Sequence, residues 1–252
     1  MPLVNALSRV KRAIRRAMLS GDELLRDKYP DFGPVHFDIV REVQPYTLTS
    51  PERIFAVIEA TKYVARRRIP GAIVECGVWR GGSMMTVART LQLVGDTNRE
   101  LYLFDTFEGM SAPTNLDVDL AGQRADTLLA TTDRQAHGAW VCVSLEDVQR
   151  SVGSIGYPPS RIHYVPGKVE DTIPANAPDQ IALLRLDTDW YESTRHELEH
   201  LYPRLASGGV IIIDDYGHWK GARQATDEFI AATADFGLLT RIDYTGRLAI
   251  KP

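Results

Sequence analysis

A glycine-rich turn follows an apolar run in the first half of the sequence. The turn reads Val74-Glu75-Cys76-Gly77-Val78-Trp79-Arg80-Gly81-Gly82-Ser83. Glycine has no Cβ, so the backbone can turn tightly and let a ligand approach the first N–H groups of a helix that begins near Gly82. Glu75 stands where a dinucleotide-binding motif has its first glycine, and its charge repels a pyrophosphate but attracts a cation. The motif therefore favours a positively charged ligand, such as the sulfonium of S-adenosylmethionine, over a turn whose glycines serve packing alone.

Two further apolar runs end in paired acids. Asp187 and Asp189 end the first run, and Asp214 and Asp215 end the second. If the runs are neighbouring strands about 4.8 Å apart, Asp187 lies close to Asp214 and Asp215. Three such carboxylates repel by roughly 3 kcal/mol per pair at an effective dielectric of about 20, so protons or a cation must relieve the repulsion. Ligand sets made of oxygen alone favour Mg²⁺, with Mn²⁺ or Ca²⁺ as substitutes. The alternative to a metal site is that these acids cap the following helices. This alternative fits Asp189 but not the adjacent pair Asp214 and Asp215.

Two more residues are placed to face the same site. Asp105 ends an apolar run some two dozen residues after the glycine turn, where an acid commonly accepts hydrogen bonds from ribose hydroxyls. Capping of the next turn is again the alternative. His218 lies just beyond the second acid pair, whereas His196 and His200, four residues apart, are expected to form a solvated or interhelical pair rather than a zinc site.

The order of elements predicts an α/β fold with a mostly parallel sheet. Apolar runs alternate with helical patterns, as in sheets covered by helices on both faces. The predicted strands cover about 72–77, 101–105, 162–166, 181–187 and 209–214, and the predicted helices about 51–68, 83–94, 144–152, 190–205 and 220–235. Residues 238–243 and 246–251 are joined by too few residues for a crossover helix, so they are expected to form an antiparallel hairpin at the sheet edge.

Two segments lie outside the regular part of the predicted sheet domain, which spans residues 46–252. Residues 1–45 are predicted to be a helical extension. Within it, residues 1–20 form a basic amphipathic helix that packs on its own domain or on a second copy of the chain, with a membrane surface or RNA as alternatives. Residues 111–139 follow the second strand without clear periodicity, so we predict a mobile lid over the site.

The composition is typical of a soluble globular protein. The chain has 252 residues and a net charge of −4, which gives no global attraction to nucleic acid or to anionic membranes. The sequence contains neither a bilayer-spanning apolar run nor a signal-peptide pattern, so we expect a cytoplasmic protein. Cys76 and Cys142 both lie in apolar runs and are expected to be buried free thiols.

Taken together, the motifs resemble those of the macrocin O-methyltransferase (TylF) family, whose members use S-adenosylmethionine to methylate sugar hydroxyls of macrolides and related natural products. The resemblance runs from about Tyr46 to the end of the chain. It rests on residues 74–82, 105–110, 143–148, 184–194 and 214–217. The segment 111–139 and the N-terminal helix depart from the better-known members, and both are substrate-side elements.

The resemblance implies a seven-stranded, Rossmann-like class I methyltransferase sheet with S-adenosylmethionine and Mg²⁺ as cofactors. It also implies that Tyr46 reaches the acceptor. The candidate cofactor-binding residues are Glu75, Gly77, Trp79, Gly81, Ser83 and Asp105; the candidate metal ligands are Asp187, Asp214 and Asp215; the candidate catalytic residues are Asp187, Tyr46 and His218.

The resulting hypothesis is metal-dependent O-methylation of a vicinal diol on a deoxysugar, carried by a natural product or a sugar nucleotide. Asp187 or a nearby group accepts the proton. Catechol-type methylation is an alternative, because an aromatic diol offers the same bidentate geometry to a metal. A catalytically silent S-adenosylmethionine-binding protein is another, although a binding module gains nothing from three repelling acids. The expected partners are a small hydroxylated acceptor and a second copy of the chain, without nucleic acid or membrane.

Overall fold

The computed structural model describes residues 21–131 and 142–252 of the chain. Two compact units are distinguished, residues 1–38 and residues 39–252. In the smaller unit, α1 spans Gly21–Lys28, and the rings of Tyr29 and Phe32 stack with 4.7 Å between their centroids. The predicted helix over residues 1–20 and residues 132–139 of the predicted lid lie outside the described residues.

The larger unit is built on a seven-stranded sheet in the order β3-β2-β1-β4-β5-β7-β6. The strands are β1 (Ala72–Cys76), β2 (Leu101–Asp105), β3 (Ile162–Pro166), β4 (Ile181–Leu186), β5 (Leu205–Ile213), β6 (Thr240–Arg241) and β7 (Arg247–Ile250). Strands β1 to β5 pair in parallel, and β7 runs antiparallel to both β5 and β6. The predicted α/β class with a mostly parallel sheet and an antiparallel carboxyl-terminal hairpin is confirmed.

The hairpin is shorter than the predicted run over residues 238–243. Only Thr240 and Arg241 of this run pair with β7. Asp243 instead accepts hydrogen bonds from the backbone N–H groups of Thr245 and Gly246, at 2.9 and 2.7 Å. An aspartate that binds its own following backbone competes with strand pairing, so the chain turns before the strand can lengthen.

In the described part of the chain, eight further helices of four to sixteen residues surround the sheet or lead into it. They are α2 (Pro34–Val43), α3 (Pro51–Arg66), α4 (Gly82–Val94), α5 (Ala125–Thr131), α6 (Leu145–Gly153), α7 (Val169–Thr172), α8 (Tyr191–Leu201) and α9 (Lys220–Ala232). Helix α3 begins as its sequence predicts, because the Ser50 hydroxyl accepts a 3.2 Å hydrogen bond from the backbone of Arg53 and Pro51 occupies the first turn.

The central strands bring the carboxyl ends of β1, β4 and β5 side by side. Strands β1 and β4 are buried along their whole length, as expected for parallel strands covered on both faces. The ladder continues past the strand ends: Asp187 N donates to Cys76 O, and Asp214 N donates to Leu186 O, both at 2.9 Å. The first acid of each predicted pair is therefore fixed by backbone hydrogen bonds to the neighbouring strand.

The first half of the predicted lid is tied to the sheet domain. Asp117 is fully buried, and its Oδ1 accepts a 2.7 Å hydrogen bond from the backbone N–H of Tyr191. Lys220 N donates to Val118 O at 2.9 Å. Apolar packing adds to these polar contacts, because Ala125 of this segment is buried in a cluster with Trp190, Trp219 and Ala222, and Leu128 and Leu129 pack against that cluster. Mobility of residues 111–139 as a whole stays a prediction.

One of the two cysteines departs from expectation. Cys76 is buried in β1, whereas Cys142 is exposed, because its apolar run forms no strand among the described residues 142–144. In the part of the chain that the structure describes, no helix is both long enough and apolar enough to cross a membrane.

Candidate active site

A cavity of about 280 Å³ opens at the carboxyl edge of the parallel strands. Its wall contains residues that directly follow each of β1 to β5. Of the predicted site residues, the wall contains Tyr46, Gly77, Trp79, Ser83, Asp105, Asp187, Asp214, Asp215 and His218. Glu75 and Gly81 do not line it. The structure thus brings most of the predicted site together and places two residues of the glycine turn elsewhere.

Close packing explains the glycines of the turn. Gly77 has a φ of 80°, and a Cβ there would lie 2.0 Å from the carbonyl oxygen of Asp187. Gly81 has a φ of 89°, and a Cβ there would lie 2.5 Å from a methyl group of Val152 in α6. At Gly82, a Cβ would lie 2.6 Å from the carbonyl oxygen of Tyr46. The turn is therefore packed closely against three other segments, which leaves no room for a side chain at these positions.

Asp105 holds the glycine turn and its own following turn in place. Its Oδ2 accepts hydrogen bonds from the backbone N–H groups of Val78 and Trp79, at 2.7 and 3.0 Å. Its Oδ1 accepts one from Phe107 at 2.8 Å. Trp79 and Phe107 have positive φ values of 49° and 53°, a conformation that costs non-glycine residues energy. The capping alternative and the ligand-binding hypothesis are compatible here, since the carboxylate also lines the cavity.

Arg185, a buried arginine in β4, was not among the predicted site residues. Its Nη1 donates to Glu75 Oε1 at 2.5 Å and to Asp187 Oδ2 at 2.7 Å. Its Nη2 donates to Asp214 Oδ1 at 2.6 Å and to the Thr49 hydroxyl at 3.1 Å. The apolar neighbours of Arg185 made it resemble an ordinary strand residue, and a charge within a fully buried strand was the signal that could have revealed it.

The ion pair with Arg185 changes the expected role of Glu75. The Glu75 side chain is 1 % exposed and lies outside the cavity wall. Burial raises the pKa of Glu75 to about 7, and the Arg185 charge opposes that rise. Direct contact of Glu75 with a cofactor therefore stays a prediction, while its contact with Arg185 links β1 to β4.

The three predicted metal ligands lie together, but they are not three bare charges. One oxygen each of Asp187, Asp214 and Asp215 lies within 4.8 Å of the others. Asp214 Oδ1 accepts from Arg185, and its Oδ2 pairs with Arg53. Protons or a cation were expected to relieve the repulsion among the three acids, and two arginines of the chain supply part of that positive charge.

Burial dominates the acidity of the cluster. It raises the pKa of Asp187 and of Asp215 well above the ordinary aspartate value, with Arg185 opposing the rise at Asp187. The nearby charges of Asp189 and Asp214 raise the pKa of Asp215 further. Desolvation disfavours the charged form of a carboxyl group, so the cluster favours any ligand that supplies positive charge.

Asp189 is a further acid of the cavity that the predicted site omitted. It lines the cavity, and its backbone N–H donates to Asp215 Oδ2 at 3.1 Å. Its φ of 68° is left-handed, which is costly for a residue other than glycine. Burial raises its pKa to about 7. Helix capping was expected to explain Asp189, yet Trp190 stands at the cap position of α8.

Two polar groups in the wall have no internal partner. His218 Nδ1 and Trp79 Nε1 are buried without a hydrogen bond among the described residues. Burial lowers the pKa of His218, which favours the neutral ring. Tyr46 belongs to a short 3-10 helix, Gln44–Tyr46, at another part of the wall. Buried polar groups are rarely left unpaired, so the unpaired His218 Nδ1 and Trp79 Nε1 indicate that the cavity binds a ligand with polar groups.

The donor set fits a divalent cation. Three carboxylate oxygens within 4.8 Å of one another match the oxygen ligands that Mg²⁺ prefers. Arg53 also pairs with Asp243, and Arg185 also pairs with Glu75, so the two arginines do not serve the three aspartates alone. Asp214 is the least available of the three, since both of its oxygens already accept from arginine.

Comparison with known proteins confirms the resemblance. The macrocin-O-methyltransferase (TylF) family matches residues 38–249. The chain is similar to the 8-demethyl-8-(2,3-dimethoxy-alpha-L-rhamnosyl)-tetracenomycin-C 4'-O-methyltransferase of Streptomyces olivaceus, with 32% identity over 201 residues, which cover 80% of this chain and 74% of the relative. It is also similar to the demethyldecarbamoylnovobiocin O-methyltransferase of Streptomyces niveus, with 31% identity over 201 residues and the same two coverages, 80% and 74%.

Solved structures show the same fold. The structure of the O-methyltransferase NovP matches with a TM-score of 0.69 and 31% identity, covering 82% of each chain. CalS11, a calicheamicin methyltransferase, matches with a TM-score of 0.62 at 18% identity, covering 93% of this chain and 95% of its own. The second likeness concerns the fold alone.

Proposed function

Because the chain belongs to the macrocin-O-methyltransferase (TylF) family, we propose that it transfers a methyl group from S-adenosylmethionine to a sugar hydroxyl with the help of Mg²⁺. The acceptor is a deoxysugar carried by a natural product or a sugar nucleotide. One observation carries the proposal: a single cavity joins the glycine turn and Asp105 to the acids Asp187, Asp214 and Asp215. The protein is expected to bind the donor on one side and the acceptor on the other.

The names of the relatives support a glycosylated acceptor. The Streptomyces olivaceus relative is named for methylation of a rhamnosyl tetracenomycin. A relative from Micromonospora griseorubida, 29% identical over 171 residues, is named mycinamicin III 3''-O-methyltransferase. The two names describe different molecules, so the family name supports the reaction class and leaves the acceptor of this chain to experiment.

On the donor side, S-adenosylmethionine supplies a methyl group that its sulfonium already activates. The residues of this chain have to bind and orient it. Asp105 is proposed to accept hydrogen bonds from the ribose while it holds the turn at Val78 and Trp79. The unpaired Trp79 Nε1 is a donor for a polar atom of the ligand. Gly77, Gly81 and Ser83 are the other residues of the turn that we propose for cofactor binding. Glu75 is included in this proposal, and its side chain is held by Arg185.

On the acceptor side, a sugar hydroxyl is a weak acid and needs help to become a nucleophile. A divalent cation held by Asp187, Asp214 and Asp215 would increase the acidity of that hydroxyl. Asp187 is the proposed proton acceptor, since its side chain is 27 % exposed while Asp214 is 2 % exposed. Asp189, which also lines the cavity, is the second candidate. His218 and Tyr46, which also line the cavity, are proposed to position the acceptor.

Catechol-type methylation is the competing acceptor chemistry, because an aromatic diol offers two adjacent oxygens as well. Purified protein incubated with S-adenosylmethionine, Mg²⁺ and a panel of glycosides, sugar nucleotides and catechols tests both. Methylation of a sugar hydroxyl that stops on chelation and returns with Mg²⁺ is the expected result. Turnover that is unaffected by chelation contradicts the proposed requirement for Mg²⁺. Turnover of catechols alone contradicts the proposed sugar acceptor. Cofactor binding without turnover of any class would favour a silent binding protein.

A further inference from the structure

Glu197 is a buried acid for which the proposed chemistry has no use. It lies in α8 and is 0 % exposed. Its Oε1 accepts a 2.9 Å hydrogen bond from the hydroxyl of Thr188. Its Oε2 is buried without a hydrogen-bond partner among the described residues. A carboxyl group rarely stays in a protein interior unless it has a specific partner, and here the hydroxyl of Thr188 is one, with the Cys76 thiol also close to the carboxyl group.

Thr188 lies in the middle of the strained turn that carries the acceptor-side acids. The turn runs from Asp187 to Trp190, and its third residue, Asp189, has a left-handed φ of 68°. Trp190 N donates to Thr188 O at 2.8 Å, which closes the turn on Thr188 itself. Such strain persists only where surrounding contacts fix the backbone, and a side-chain contact to the central residue is the direct way to do so.

From these contacts we infer that Glu197 is a positioning residue, which acts through Thr188 to hold the turn 187–190 and its two acids in the geometry of the acceptor site. The inference rests on the proposed function, because it concerns the acids proposed to serve the acceptor. It does not require Glu197 to touch the acceptor, since Glu197 does not line the cavity.

The surroundings of Glu197 indicate that its carboxyl group is held neutral. The charged or titratable groups that face it come from four elements and are Cys76 at the end of β1, Glu170 in α7, Asp187 after β4 and Asp215 after β5. Burial raises the pKa of Glu197 well above its ordinary value, and none of these neighbours supplies a positive charge. A neutral carboxyl group still offers a carbonyl oxygen to Thr188, so glutamine can replace it in this contact.

Three variants separate positioning from simple core packing. Glu197→Gln keeps an oxygen acceptor for the Thr188 hydroxyl. Glu197→Leu removes the acceptor, and Thr188→Val removes the donor with little change in shape. Glu199→Gln is the matched control, because Glu199 is exposed on the same helix and pairs with Arg195 at 2.8 Å. The Thr188→Val/Glu197→Leu double variant completes a cycle that measures the coupling of the two residues.

Hydrogen exchange of the peptide that contains residues 187–190 is the first readout, measured on the full chain without ligands. Exchange is expected to accelerate about ten- to a hundredfold in Glu197→Leu and in Thr188→Val, since each breaks a buried hydrogen bond. It should stay near the native rate in Glu197→Gln and Glu199→Gln. The double variant should exchange no faster than the faster single variant. Unchanged exchange in both single variants, or equal acceleration in Glu197→Gln, overturns the inference.

Binding and turnover supply the second readout. In Glu197→Leu and Thr188→Val, the affinity for Mg²⁺ measured by calorimetry is expected to fall about tenfold, the usual effect of a residue that orients a metal ligand. The affinity for S-adenosylmethionine should not change in these variants, and Glu197→Gln should keep both affinities near their native values. If the native protein binds no Mg²⁺ and methylates no acceptor, the proposed function fails, whereas the exchange experiment still decides whether Glu197 holds the turn.

Discussion

Asp117 caps α8 from a distance of 74 residues along the chain, since its Oδ1 accepts a 2.7 Å hydrogen bond from Tyr191 N, the first residue of that helix. Its Oδ2 accepts from the backbone N–H and the hydroxyl of Thr114, at 2.6 and 2.9 Å. The carboxylate is fully buried and lies at the positive end of the helix dipole. Because α8 begins directly after the turn with Asp187 and Asp189, this contact connects the inserted segment to the acceptor side of the site.

Replacement of Asp117 by alanine should therefore destabilise the protein and loosen the segment 111–131. We expect Asp117→Ala to lower the free energy of unfolding by about 1–3 kcal/mol, because it leaves buried N–H groups without an acceptor. Asp117→Asn, which retains one oxygen acceptor, should cost less. Urea unfolding measures both values. Hydrogen exchange of residues 111–131 should accelerate in Asp117→Ala, and unchanged exchange would show that other contacts hold the segment.

The contact between Asp117 and α9 gives an independent check. A Cβ at Gly221 would lie 2.2 Å from Asp117 Oδ1, so Gly221→Ala should force this carboxylate to move. We expect Gly221→Ala to destabilise the protein, and we expect the loss in the double variant with Asp117→Ala to be smaller than the sum of the two single losses. Additive losses would mean that the alanine methyl group is accommodated without moving Asp117.

The sequence predicted what depends on local pattern. Apolar runs that end in acids located β4 and β5 and placed Asp187, Asp214 and Asp215 at one edge, because parallel strands share the direction of their ends. It did not predict Arg185 or Asp117 as site residues. Arg185 meets Glu75 and Asp214 only in the folded chain, and Asp117 meets Tyr191 only there. Residue type alone does not identify a buried charge when such partners lie far away in the sequence.

The glycine turn likewise shows that sequence pattern does not reveal contacts between distant parts of the chain. Its spacing correctly placed a turn at the cavity, but spacing could not tell which glycines face a ligand and which face the protein. Gly81 packs against Val152, and Glu75 turns to Arg185, because these partners become neighbours only in the folded chain. Period and residue type determine the element, whereas tertiary packing determines the role of each side chain within it.

The role of Asp105 in cofactor binding is tested by its replacement with alanine. Asp105→Ala should weaken S-adenosylmethionine binding by roughly 1–3 kcal/mol, through lost hydrogen bonds to the ribose and through release of the turn at Val78 and Trp79. Asp105→Asn separates the two effects, since one oxygen remains to accept from the turn. Calorimetry that gives native affinity for both variants would remove Asp105 from the cofactor site.

The raised pKa of Glu197 predicts how stability depends on pH. Burial raises this pKa well above 4.5, so the folded protein keeps a proton at pH values where the unfolded chain has released it. As pH rises through this window, stability is lost at up to about 1.4 kcal/mol per pH unit. Glu197→Gln removes the loss, and its free energy of unfolding relative to the native protein should increase from pH 5 to pH 8.

Urea unfolding of native protein, Glu197→Gln and Glu199→Gln at several pH values measures this difference. The exposed Glu199 should leave the pH dependence unchanged. A constant difference between Glu197→Gln and the native protein across this range would mean that Glu197 ionises like an exposed glutamate.

Asp214 and Asp215 are adjacent in sequence and should respond differently to replacement. Both oxygens of Asp214 pair with buried or nearly buried arginines, Arg53 and Arg185. Asp214→Ala removes a buried carboxylate from both guanidinium groups. Arg53 keeps its ion pair with Asp243, and Arg185 keeps those with Glu75 and Asp187, so we expect a loss of about 3 kcal/mol in the free energy of unfolding. Asp215 accepts a backbone hydrogen bond from Asp189 and makes no ion pair with an arginine among the described residues. Asp215→Ala should therefore change stability by only about 1 kcal/mol.

Replacement of Asp187 and replacement of Asp215 should have the same effect on methyl transfer. If Asp187, Asp214 and Asp215 hold a cation at the acceptor, Asp187→Ala and Asp215→Ala abolish methyl transfer while cofactor affinity stays nearly native, because the donor binds at the glycine turn. Chelation of the native protein should have the same effect, and Mg²⁺ should restore turnover in the native protein alone. Turnover assays with and without Mg²⁺, together with thermal melts, measure each part. An Asp215→Ala protein that is stable and fully active in the presence of a chelator would show that the acids serve the fold, with Arg53 and Arg185 as their cations, and not a metal.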